Sequence, residues 1–172
     1  MIDVAMTETA RHADYILPGA SQYEKVECTF FGGGFPNHVF QLRQPLLEPA
    51  QGTLPEPEIH SRLCRALSAW TDDDLVELRE AAAESREKFG LVFMQTLGAR
   101  PDLAGIAPVV LYETLGRSLG KGRESAALIW GAAQQLAASD GDSVQRAMVA
   151  GFIGSAGALA RRSSVRSSAM TR

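Results

Sequence analysis

The chain has 172 residues, 45% of them apolar and 22% charged, with a formal net charge of −3. That is length enough for one domain with a real core, in proportions ordinary for a globular protein. The weak negative charge leaves out a basic nucleic-acid binder.

The N-terminal residues Met1-Ile2-Asp3-Val4-Ala5-Met6 lack the basic start and long apolar run of a secretory signal. Ile2-Asp3 reads as the end of a strand that begins abruptly at Met1, so further residues upstream are expected. Thr7 to His12 reads as a short helix with Thr7 as its cap. Ala13 to Pro18 reads as a brief buried strand closed by Pro18-Gly19. Strand, helix and strand together predict a small βαβ-like unit, with Asp3 at the carboxyl end of its first strand. Ligands of open α/β sheets sit at that end, where a carboxylate can accept from ribose hydroxyls or the paired N–H groups of guanine. A lone Asp after a strand is also an ordinary turn or cap residue.

Lys25, in the loop after the second strand, has the charge to neutralise a pyrophosphate, although most lysines are simply exposed. Phe30 to Pro36 holds three consecutive glycines that permit close backbone approach to a ligand, or merely a flexible turn. The run matches neither GxGxxG nor GxxxxGK[ST]. His12, His38 and His60 share no metal-binding spacing, and no GxSxG elbow or Cys/His nucleophile signature is present. The two cysteines are not paired in a CxxC pattern. Cys28 reads as a loop residue and Cys64 as a small core residue on a helix, which fits reduced thiols in a cytoplasmic protein.

From Glu56 to about Trp70 the spacing predicts a helix, with Ile59, Leu63 and Leu67 along one stripe and Glu58 paired to Arg62. Pro57 is tolerated in its first turn. Thr71-Asp72-Asp73-Asp74 predicts the start of a second helix, whose apolar stripe of Leu75, Leu78, Ala82, Phe89 and Phe93 ends near Gly98 to Pro101. Three more helices are expected, at about Leu103–Leu119, Glu124–Ala138 and Ser143–Ala160. The apolar stretch within the last, Ala147 to Ala160, is too short and too rich in small residues for a membrane span. The arginine- and serine-rich end from Arg161 reads as a solvated, disordered tail.

Taken in order, Asp3-Val4-Ala5-Met6-Thr7-Glu8-Thr9-Ala10-Arg11-His12-Ala13-Asp14-Tyr15-Ile16-Leu17-Pro18, followed by Glu24-Lys25, resembles a segment of the dimethyl sulfoxide reductase family of molybdopterin oxidoreductases. That family includes bacterial formate dehydrogenases and nitrate reductases. The resemblance covers roughly the first seventy residues and includes an acid opening a helix, matched by Glu56. It departs from the family after Lys25, where Val26 to Phe31 replaces the usual Gly-Thr continuation, and at Glu56, which stands where Asp is frequent and has Glu58 as a competitor.

The resemblance implies an α-rich α/β fragment, a short piece of parallel sheet followed by a helical segment. Residues 1–70 would be part of a domain binding molybdopterin guanine dinucleotide, 71–160 a helical insertion or appendage, and 161–172 a disordered basic tail. Asp3 and Lys25 would contact the nucleotide, Glu56 would face its guanine, and Ile2 would add backbone contacts. The parent enzyme would carry bis-molybdopterin guanine dinucleotide, with any iron–sulfur cluster in its other segments. Those segments would be this chain's partners, with neither nucleic acid nor membrane involved. No molybdenum ligand is identifiable here, so the isolated chain is expected to be inactive. The alternative reading is a helical protein-interaction module without catalytic activity, using Leu128, Ile129, Trp130 and Leu136.

Overall fold

A computed structural model describes residues 1–29 and 41–142. The glycine run, His38, the expected helix Ser143–Ala160 and the C-terminal tail lie outside the described residues. The chain divides into one compact unit, Met1–Gly131, and a second from Ala132 onward. The architecture is α-rich α/β, as expected: short parallel pairing first, then helices.

Strand β1 (Ile2–Asp3) pairs in parallel with β2 (Leu17–Pro18), Ile2 opposite Leu17 and Asp3 opposite Pro18. The connection contains one tight helical turn, Ala10–His12. Its start is capped as anticipated, since the Thr7 hydroxyl accepts the Ala10 N–H at 3.2 Å. The second strand is shorter than Ala13–Pro18 and is not buried. Tyr15 is 82% exposed, so its aromatic ring suggested a strand by β-propensity without being buried in one. A further parallel bridge joins Gly19 to Leu54, with Ala20 N–H donating to the Leu54 carbonyl (2.8 Å) and Leu54 N–H to that of Pro18 (3.1 Å). Three chain segments therefore run side by side in one direction. Separately, β3 (Glu27–Cys28) and β4 (Leu42–Arg43) pair antiparallel. Cys28 thus lies buried in a strand rather than in a loop.

Helix α1 (Glu56–Ala66) opens with Pro57 in its first turn, where a missing N–H costs no helical bond. It ends earlier than Trp70. Ser68 takes φ +53°, and the Ala69 and Ser68 N–H groups turn back to the Cys64 and Arg65 carbonyls, closing a Schellman stop. The expected stripe holds only in part. Ile59 is buried, whereas Leu63 and Leu67 are 44% and 79% exposed. A four-residue repeat drifts around the helix, carrying each successive side chain farther from the packed face.

Thr71 and Asp74 form the anticipated capping pair: the Thr71 N–H and hydroxyl both donate to Asp74 Oδ2, at 2.8 and 2.7 Å. The helix that follows is broken. α2 (Val76–Glu84) stops at Ser85, whose extended backbone and hydroxyl cap α3 (Arg86–Ala99) by accepting the Lys88 N–H at 3.1 Å. The break folds α3 back against α2, and Leu75, Leu78, Phe89 and Phe93 still meet in one core.

The expected helix Leu103–Leu119 is likewise interrupted. α4 (Pro101–Ala104) ends at Gly105, and α5 (Ala107–Leu111) restarts with Pro108 in its first turn. A buried π turn, Tyr112–Gly116, follows without a break. α6 (Ala126–Ser139) agrees closely with the expected Glu124–Ala138. Ala127 is part of the core, and Trp130 sits 5.7 Å from Phe89, ring to ring.

Candidate functional site

The carboxyl ends of the three parallel segments share one edge. Asp3 closes β1, Gly19 and Ala20 follow β2, and Glu56 follows Leu54 as the first residue of α1. At Asp3 the backbone carbonyl accepts the Gly19 N–H (2.9 Å), which ties it to the sheet. Its carboxylate accepts the Val4 N–H on one oxygen (2.7 Å) and the Thr7 hydroxyl on the other (3.2 Å). Each oxygen keeps a lone-pair site, so Asp3 is oriented yet still able to accept from two neighbouring donors.

Lys25 and Glu56 are brought into direct contact. The ammonium group lies 2.6 Å from Oε1 and also donates to Oε2, so the lysine spans both oxygens. The Lys25 side chain is 12% exposed and that of Glu56 40%. The solvent-facing member of the pair is therefore the acid. Glu56 also sits in the first turn of a helix, where the helix dipole favours a negative charge. Asp3 is not bonded to this pair; it stands along the same edge, with the Gly19–Ala20 segment between. Ile2 lies within β1, opposite Leu17.

Glu24, adjacent to Lys25, has an evident architectural role. Its carboxylate accepts the Ser21 N–H at 2.7 Å and the Ala50 N–H at 3.0 Å, which clasps the loop after β2 to the loop before α1. The hydrogen bond from Ser21 first, and that from Ala50 second, hold its carboxyl below the usual glutamate range. Burial, with the nearby Glu27 carboxylate adding to it, pushes the Cys28 thiol upward, which suits an unreactive residue.

A second polar cluster joins α1 to the π turn. Glu58 accepts from Arg62 Nε (2.8 Å), Arg117 (2.8 Å) and the Tyr112 hydroxyl (3.0 Å). Ser61 donates to Glu113 across 2.6 Å, and Arg117 bonds the same Glu113 oxygen at 2.7 Å. Burial pushes the Glu58 carboxyl up, but these hydrogen bonds outweigh it and hold the group below its ordinary value. For Tyr112, burial and the neighbouring Glu58 charge both raise the phenol. Apart from the Glu58–Arg62 pair, the sequence reading missed this cluster. Glu113 and Arg117 were visible as an i,i+4 pair, but nothing local pointed to Ser61 or Glu58 as their partners.

Among the described residues no group of three or more His, Cys, Asp or Glu side chains is placed to hold a metal ion, and no helix is long and apolar enough to cross a membrane.

Over 78 residues the chain is 32% identical to a curated protein of Bacillus subtilis (strain 168), probable oxidoreductase YoaE. The aligned stretch is 45% of this chain and 11% of that protein. The chain thus spans a small part of the relative it resembles, whose name gives it as a probable oxidoreductase. No protein-family model matches the chain, and no solved structure matches it.

Proposed function

We propose that this chain is a segment of a molybdopterin-dependent oxidoreductase, and that the edge formed by Asp3, Gly19, Ala20 and Glu56 is part of the wall against which a molybdopterin guanine dinucleotide lies. The observation that carries this reading is the alignment of two acids at the carboxyl ends of parallel segments on either side of β2. In α/β sheets that edge is where nucleotides bind. Similarity to an oxidoreductase adds support for the reaction class.

The donor set fits the nucleoside end of such a group. Asp3 has one free lone-pair site on each oxygen, matching guanine's adjacent N–H donors or a ribose diol. Glu56 offers a second, solvent-facing acceptor, while its charge is balanced by Lys25. Lys25 contributes by orienting Glu56 and through whatever N–H the pair leaves over; with its charge already engaged, it is a weaker anchor for pyrophosphate than an unpaired lysine. Ile2 supports the edge through its backbone. When bound, the cofactor supplies metal-centred electron transfer, whose ligands and any iron–sulfur cluster belong to other parts of the enzyme.

Calorimetric titration of the full chain with GDP and ADP tests the reading. GDP is expected to bind more tightly than ADP, and Asp3→Ala is expected to abolish that preference. Equal affinity for the two nucleotides, or none for GDP, would overturn it.

A further inference from the structure

Resting on that reading, we infer that the π turn is a positioning device for the edge, with Tyr112 and Arg117 holding the first turn of α1, and hence Glu56, from the helical half of the unit. α1 begins at Glu56 after Pro55, whose ring offers no side-chain hydrogen bond to cap the helix. Such a terminus frays unless something else grips it. The grip falls on Glu58, two residues beyond Glu56. Its Oε2 receives both the Tyr112 hydroxyl and the Arg117 guanidinium, at 3.0 and 2.8 Å. One turn later Ser61, buried, is held by Glu113, also buried.

The geometry explains why a π turn stands there. Residues five apart on an α-helix point about 140° away from each other. A π turn closes its hydrogen bond from residue i to i+5, so that residues five apart return to the same face. Tyr112 and Arg117 are five apart and meet on one carboxylate, with the guanidinium stacked 4.6 Å above the tyrosine ring. A regular helix through Tyr112–Gly116 would turn one of them away from Glu58. π turns of this kind are frequently kept at functional sites.

The test uses the full-length chain and the side-chain ammonium NMR signal of Lys25, whose exchange the contact with Glu56 is expected to slow. Arg117→Ala, and the milder Tyr112→Phe, are expected to weaken that signal and to reduce GDP affinity about fivefold. In a Glu58→Ala background, which leaves no acceptor for Arg117 at that position, adding Arg117→Ala is expected to change both much less than in the parent chain, the remainder running through Glu113 and Ser61. A loss of thermal stability with the Lys25 signal intact in both variants would assign Tyr112 and Arg117 a purely structural role and overturn the inference. A chain that does not bind GDP, but whose Lys25 signal responds as stated, would retain the positioning and remove the nucleotide.

Discussion

Lys25 and Glu56, thirty-one residues apart, meet as a two-point ion pair in which the cation is the more buried partner and the acid the more exposed one. This asymmetry makes the two halves unequal. Glu56→Ala leaves a largely buried ammonium uncompensated and is expected to cost about 1–3 kcal/mol. Lys25→Met leaves a carboxylate that water can reach and keeps an apolar stem in place, for less than about 1 kcal/mol. Urea unfolding of both variants checks the order.

Ser61→Ala removes one neutral donor from Glu113, which still has Arg117, and is expected to cost about 1–2 kcal/mol. Glu113→Ala leaves Ser61 without its buried acceptor and removes one of the two carboxylates that hold Arg117. It should cost more, at about 2–3 kcal/mol, with partial exposure of the guanidinium limiting the loss. Chemical denaturation of the two variants in parallel decides the ranking.

At Ser68 the direction reverses. Its φ of +53° is one that glycine adopts freely, so Ser68→Gly is expected to raise stability by about 0.5–1 kcal/mol. The gain would register as a higher Tm with α1 unchanged by circular dichroism.

Gly116→Ala is expected to destabilise the chain by about 1–3 kcal/mol. A β-carbon there would lie 2.7 Å from the Glu124 carbonyl oxygen, so the backbone itself has to move. Since Gly116 closes the π turn, hydrogen exchange at Tyr112 to Arg117 should accelerate in this variant.

Acid sensitivity follows from the depressed carboxyls. Glu58 lies below its ordinary 4.5 through the bonds from Arg62, Arg117 and Tyr112, which together exceed its burial. Asp74 lies below its ordinary 3.8 through the Thr71 side chain first, then the Thr71 backbone and Arg100. A carboxyl lowered in the folded state contributes stability that is fully present above its unfolded value and is lost as pH falls through the folded one. Tm should therefore be level above about pH 5 and fall steadily below about pH 4.5. Glu58→Gln should flatten that fall, as measured by calorimetry across the range.

The parallel β1–β2 unit, the Thr7 and Thr71 caps and the Glu58–Arg62 pair were all legible, because each is written within a few neighbouring residues. The breaks at Ser85 and Pro108 were written there too, as a good N-cap residue and a missing N–H. The apolar stripes ran on across both and hid them. Leu63 and Leu67 misled because periodicity reports a face, not whether anything packs against it. The contacts Lys25–Glu56, Ser61–Glu113 and Tyr112–Glu58 depend on how the chain closes over long separations, and spacing carries no record of that.

The most direct test maps where GDP lands on the full chain, by amide chemical-shift changes during titration. The shifts should concentrate at Asp3, Val4, Gly19, Ala20 and Glu56, along the shared edge. Shifts centred instead on the helices from Val76 to Leu111, with that edge silent, would contradict the proposed cofactor wall.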